Sequence, residues 1–124
     1  MNRCVIALFL SLAASLPAQA QRLFENNALR GELQITAPPE ALLNGSPARL
    51  APGARIRNPL NMVQLSGSLL GQKVVVNYTL DGFGLLRDVW ILSAEEAARR
   101  PWPRTPEEAK AWNFEPTLQR WSKP

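Results

Sequence analysis

The 124-residue sequence has no histidine and a single cysteine, Cys4, close to its start. These absences exclude most familiar chemistry. Without histidine there is no Ser-His-Asp triad and no imidazole acid–base catalyst. Without a cysteine beyond position 4 there is no downstream thiolate nucleophile and no disulfide. Ordinary zinc, copper and haem sites draw on the same two residue types and are excluded with them. Carboxylate, lysine, tyrosine or serine–lysine chemistry is what remains. No apolar run reaches the roughly 20 residues that a membrane-spanning helix needs, and no cofactor motif is present.

What the first residues do have is an export pattern. Arg3 supplies one positive charge. Val5 to Leu16 is apolar apart from Ser11 and Ser15, and Pro17 leads into Ala18-Gln19-Ala20. Basic end, apolar middle and A-x-A terminus are the three parts of a secretory signal peptide. Residues 1–20 are therefore expected to be cleaved off, leaving a chain that starts at Gln21 and works in the periplasm or is fully secreted. The alternative is an uncleaved anchor or a buried N-terminal helix. Cys4 lies far upstream of the cleavage point, so a lipid anchor is not expected. Cleavage removes Arg3 and no acid. The 14 basic and 10 acidic side chains become 13 and 10, a mild net charge of about +3 that demands no nucleic acid or anionic lipid.

The mature hundred residues are expected to form one domain, with residues 21–28 as a lead, 29–92 as a small β domain and 93–124 as short helices and a tail. Leu29, Gly31, Leu33 and Ile35 alternate with Arg30, Glu32 and Gln34, the pattern of a half-buried strand. Asn44-Gly45 between Leu42-Leu43 and Ala48-Arg49-Leu50 marks a tight hairpin. Met62 to Leu65 reads as a short strand, and Gly67 and Gly71 as a bend or bulge. Val74 to Leu80 and Leu85 to Leu92 read as two strands around the turn Asp81-Gly82-Phe83-Gly84. Ser93-Ala94-Glu95-Glu96 is a capping box that opens a helix through Arg100, stopped by Pro101. Thr105-Pro106-Glu107-Glu108 opens a second short helix ending near Trp112. Asn113 to Pro124 reads as irregular. Five or six close-spaced strands imply a mainly β fold, a small barrel of the OB or SH3 kind or a strongly bent sheet.

The stretches Leu43-Asn44-Gly45, Pro47 to Leu50, Pro52 to Arg57, Val75 to Leu80 and Val89 to Leu92 resemble a set of short exported proteobacterial proteins. The resemblance covers about half of the chain. It implies a bacterial envelope setting and carries no activity and no functional residue.

Candidate binding residues fall into two groups. Arg49, Arg55 and Arg57 lie within nine residues and, with Trp90, could hold an anionic ligand; the alternative is a solvated strand face and a core tryptophan. Nucleic acid is scarce outside the cytoplasm, so an anionic envelope component is the partner this group would imply. The tail from residue 101 carries five of the eleven prolines and three of the four tryptophans, Trp102, Trp112 and Trp121. It is either a docking segment for an envelope protein or a strap that completes the core. Glu95-Glu96 and Glu107-Glu108 could suggest paired catalytic carboxylates, but adjacent helical residues diverge and both pairs sit where first-turn acids belong. Ser66 and Ser68 near Lys73 match no defined motif. The reading that results is a non-enzymatic exported module that binds another envelope component. Mass spectrometry of the processed protein is expected to find Gln21 at its N-terminus; retention of residues 1–20 would remove the export reading.

Overall fold

A computed structural model of the chain describes residues 21–124. The expected signal peptide, residues 1–20, lies outside the described residues. The strands are β1 (Leu29–Ala37), β2 (Glu40–Leu43), β3 (Ser46–Arg57), β4 (Val63–Gln64), β5 (Lys73–Leu80), β6 (Leu86–Ile91), β7 (Asn113–Glu115) and β8 (Arg120–Ser122). Two short helices, α1 (Ala94–Ala97) and α2 (Pro106–Ala111), precede the last two strands.

The fold is mainly β, as the alternation predicts, and its main sheet is bent into a ring. β1 pairs with β2 along Leu33 to Ala37 and with β5 along Leu29 to Gln34. β2 continues onto β3, and β5 onto β6. The ring closes because β3 is used twice. Its first half, Ser46 to Arg49, pairs antiparallel with β2, and its second half runs parallel to β6. Within the β3–β6 pairing the register shifts between Leu50 and Arg55, over Ala51-Pro52-Gly53-Ala54. Proline cannot donate a ladder hydrogen bond, and Gly53 adopts φ +76°, so the strand bends there. β4 adds a short sixth strand on β3.

Local signals account for the turns. Asn44 and Gly45 take φ 52° and 79°, which lets a two-residue loop join Leu43 to its partner Ser46. The Asp81 carboxylate accepts from the amides of Phe83 and Leu85 at 2.8 and 2.9 Å, fixing the β5–β6 turn. The glycine-flanked bend is a 3-10 turn over Ser66–Leu69, and it drives Leu69 into the ring's interior. There Leu69 meets Leu33, Ile35, Leu50, Val76, Leu86 and Val89 in a hydrophobic core.

A second core lies outside the ring, between the lead and the tail. Phe24, Ala28, Leu92, Trp102 and Trp121 are buried in it, with Trp90, Trp112 and Phe114 packed around them. Phe24 meets Trp90 and Trp102 edge-on at 5.5 and 5.9 Å, and Phe114 stacks on Trp121 at 4.7 Å. Such pairs add about 0.5–1.5 kcal/mol each beyond burial. The Trp102 indole donates to the Ala28 carbonyl at 2.9 Å. The Gln119 side chain accepts from the Phe24 amide at 2.8 Å and donates to the Phe24 carbonyl at 3.1 Å. This core meets the need of a small ring that has no disulfide.

Two details depart from the expected elements. The tail from Asn113 is a hairpin, not irregular chain: Phe114 pairs with Trp121 across it, and Gln119 turns it with φ 50°. Helix α1 stops at Ala97 rather than Arg100, because the Arg30 guanidinium takes its last carbonyls. Arg30 Nη2 donates to Glu96 O at 3.2 Å, and Nη1 to Ala97 O at 3.3 Å and Arg99 O at 2.8 Å. Its Nε donates to Asn77 Oδ1 at 3.1 Å, and Trp102 lies against the guanidinium at 4.9 Å.

The start of α1 is equally tied. Ser93 and Glu96 form the capping box, and the Glu96 carboxylate pairs with both Arg22 Nε and Nη2. Arg22 also donates to the carbonyls of Asn58 and Ile91 at 3.0 and 2.8 Å. Burial opposes ionisation of Glu96, but the Arg22 guanidinium and the Ser93 amide outweigh it and hold the carboxyl below its ordinary value of 4.5. The stabilisation is then complete above that ordinary value and is lost as pH falls through the lower folded value. Glu96→Gln is expected to be about 2–3 kcal/mol less stable than the parent at neutral pH and to lose part of the acid sensitivity. Denaturant midpoints measured from pH 7 to pH 3 test this, and parallel curves for the two proteins would contradict it.

Candidate functional site

The arginine group does not assemble as one patch. Arg49 sits on the half of β3 that pairs with β2, across the Pro52-Gly53 bend from the other two, and faces Glu40 at 3.4 Å. Arg55 lies in register with Asp88, and Arg57 contacts the same carboxylate at 3.6 Å. Trp90 does join them, with the Arg57 guanidinium 5.8 Å from its ring. Arg57, Asp88, Trp90 and Thr79 line a shallow cleft of about 370 Å³ beside Phe24, which Arg49 and Arg55 do not reach. Asp88 and Glu40 neutralise much of the positive charge, so this face offers a weak field to an anion.

The three tail tryptophans come together, in unequal roles. Trp102 and Trp121 are 5% and 2% exposed and belong to the second core. Trp112 is half-buried. It ends α2, donating its amide to Glu108 O at 2.9 Å, and its ring stands on the surface between three clefts. One, of about 650 Å³, runs past Leu23, Phe24, Phe114 and Pro116. Another, of about 550 Å³, runs past Leu29, Leu80 and Pro106. The third, of about 750 Å³, is cationic, with Arg30, Arg100, Arg104 and Lys123 against Glu32 and Glu108. Lys123 Nζ lies 5.2 Å from the Trp112 ring centre.

The electrostatics of that third cleft differ from those of the β3 arginines. Among the described residues, the side chains of Arg100 and Arg104 make no ion pair and no hydrogen bond. Burial lowers the pKa of Arg30 most, and the charges of Arg100 and Arg99 lower it further, to about 10. Arg30 remains protonated at neutral pH, so positive charge accumulates along one wall. Burial pushes the Tyr78 hydroxyl above its ordinary value, and the nearby Arg104 charge pulls the other way.

The other sequence candidates serve local structure. Glu96 is committed to Arg22 and Ser93, and Glu107 and Glu108 lie in the first turn of α2, where the Thr105 hydroxyl accepts from the Glu108 amide at 3.2 Å. The Ser68 hydroxyl donates to the Leu65 carbonyl at 2.6 Å. Among the described residues no His, Cys, Asp or Glu cluster could hold a metal ion, and no helix is long and apolar enough to cross a membrane.

Trp112 stands out in the sequence by composition, whereas the cations beside it do not. Arg100 reads there only as the end of the expected first helix. The spacing of Arg100 and Arg104 around Trp102 was the available signal, since alternate residues of an extended proline-flanked segment share a side. Lys123 had none, because the unforeseen hairpin brings it in. Compared with family models, with curated proteins and with solved structures, the chain matches none.

A division of labour among the tryptophans follows. Trp121→Ala empties a closed aromatic contact and is expected to cost about 3–5 kcal/mol of stability. Trp112→Ala, at a half-open position, is expected to cost about 1–2 kcal/mol. Urea unfolding of the two variants decides this, and equal losses would make Trp112 part of the strap.

Proposed function

We propose that this chain is an exported, non-enzymatic β module that binds another component of the bacterial envelope through the surface around Trp112. The observation that carries the reading is the contrast within one tail: two tryptophans are buried as anchors while the third stands half-open at the meeting point of three clefts. Aromatic side chains of that kind anchor interfaces because they offer large area at small entropic cost. On this reading the tail is both strap and docking surface.

The export pattern of residues 1–20 supports the envelope setting, as does the resemblance of residues 43–57, 75–80 and 89–92 to short exported proteobacterial proteins. The absence of histidine, and of cysteine beyond position 4, supports a binding role over a catalytic one. We also read the ring as an OB-type barrel, a five-stranded Greek-key arrangement. The supporting feature is the pairing order β1-β2-β3-β6-β5-β1, with β3 and β6 paired in parallel.

A second reading places an anionic ligand on Arg49, Arg55, Arg57 and Trp90. The Arg57–Trp90 contact favours it, and the neutralisation of the group by Glu40 and Asp88 weighs against it.

A photo-crosslinking residue in place of Trp112, activated in living cells, tests the main reading. A discrete adduct with one envelope component is expected, and the same probe at Arg55 should give little. No adduct at position 112, or an adduct only at position 55, would overturn it in favour of the second reading.

A further inference from the structure

We infer that the cleft between β1, the end of α1 and the tail binds a phosphomonoester carried on a hydroxylated body, such as a sugar phosphate or the phosphorylated sugar of a lipid headgroup. This rests on the Trp112 surface being the binding surface, and it names the chemistry of the ligand.

Charge matching is the first argument. Arg30, Arg100, Arg104 and Lys123 line the cleft against Glu32 and Glu108, leaving two positive charges in excess. A phosphomonoester carries about −1.5 to −2 at neutral pH and balances that excess. A carboxylate or a phosphodiester, with one charge, does not.

The second argument is availability. Arg49 and Arg57 already face Glu40 and Asp88 at 3.4 and 3.6 Å. Among the described residues, Arg100 and Arg104 have no such partners. Both are exposed, and each guanidinium can present a planar fork of donors to phosphate oxygens. Arg30 is held rigidly behind them. Its charge is fixed by three carbonyls and Asn77, and Trp102 covers it. It adds field without having to move. The lowering of its pKa by Arg100 and Arg99 reports the same crowding of positive charge, which an incoming dianion would relieve.

The third argument concerns the rest of the ligand. Glu32 and Glu108 accept hydrogen bonds and cannot donate them when ionised. Beside a phosphate site they would repel a second anionic group but suit hydroxyls. Trp112, on the rim of the same cleft, offers a flat apolar surface for a sugar ring. A polyol phosphate satisfies cations, carboxylates and indole together; an acidic peptide would set its carboxylates against Glu32 and Glu108.

The test uses the full chain, expressed in a bacterium and purified as the cell processes it. Glucose 1-phosphate, inorganic phosphate and glucuronic acid are titrated while tryptophan fluorescence and heat are recorded. In separate arms the protein is mixed with phosphatidylcholine vesicles with and without diphosphoryl lipid A. Glucose 1-phosphate is expected to bind saturably and more tightly than either anion alone. Affinity should fall with added salt and rise as pH goes from 5 to 7, where the phosphate gains its second charge. Arg100→Ala combined with Arg104→Ala should weaken binding by about tenfold or more. The paired Lys substitutions should retain most of it, and Arg55→Ala should leave it unchanged. Binding to lipid A vesicles but not to glucose 1-phosphate would assign the phosphomonoester to a lipid source; the reverse would assign it to a soluble one. Glucuronic acid binding as tightly as glucose 1-phosphate, or no saturable binding in either arm, overturns the inference. If the position-112 crosslink nevertheless forms, the binding surface stands and only its phosphate chemistry falls.

Discussion

The guanidinium of Arg30 is the joint on which the molecule depends. It projects from the outer side of a ring strand, where the alternating pattern of β1 would leave it in water, yet it is 8% exposed. A buried charge is costly unless hydrogen bonds replace its hydration. Here the carbonyl end of α1 does so, with its negative dipole turned toward the cation. Asn77 holds the remaining edge and Trp102 closes one face. Ring, helix and tail each supply a partner that the other two cannot. The backbone amide of Arg30 also donates to Pro103 O at 2.8 Å, so main chain and side chain of one residue fasten the tail to the ring.

Around that joint the two cores divide the work. The ring interior is mainly aliphatic, with Tyr78 among its members, and is filled from the strands and from Leu69 of the 3-10 turn. The outer core is largely aromatic and is filled from the lead, from Trp90 of β6, from the Pro101-Trp102-Pro103 stretch and from the β7–β8 hairpin. A stretch such as Pro101-Trp102-Pro103 has no ladder to hold it. It is fixed instead by the indole bond to Ala28 and by edge-on contacts among rings. Stapling by aromatics leaves one side of the layer open, and the clefts around Trp112 are that open side.

Much of the ring was legible from the sequence, because its signals are local. Asn44-Gly45 needed only the left-handed conformations of a tight turn. Asp81 needed only two amides ahead of it, and Ser93 and Thr105 announced their helices through caps. What was not legible rests on contacts far apart in the chain. Nothing near Pro52-Gly53 states that one strand will serve two neighbours. The tail hairpin depends on Phe114 meeting Trp121 and on Gln119 reaching Phe24. Arg30 sits in a position that periodicity assigns to solvent, and only the folded tail reverses that. The site shows the same split: Trp112 stood out by composition, while its cationic surroundings arise from tertiary placement.

The bond between Phe24 and Gln119 joins residues 95 apart in the chain, and that separation bears on the order of events in folding. Hairpins such as β2–β3 and β5–β6 close over short loops and can form early. The aromatic layer requires both ends of the described chain at once, and loop-closure entropy must be met before any of its contacts can reward it. A nascent chain that still lacks Gln119 and Trp121 can assemble strands but not this layer. The surface around Trp112 therefore comes into existence only once the segments around Phe24 and Trp121 are both available.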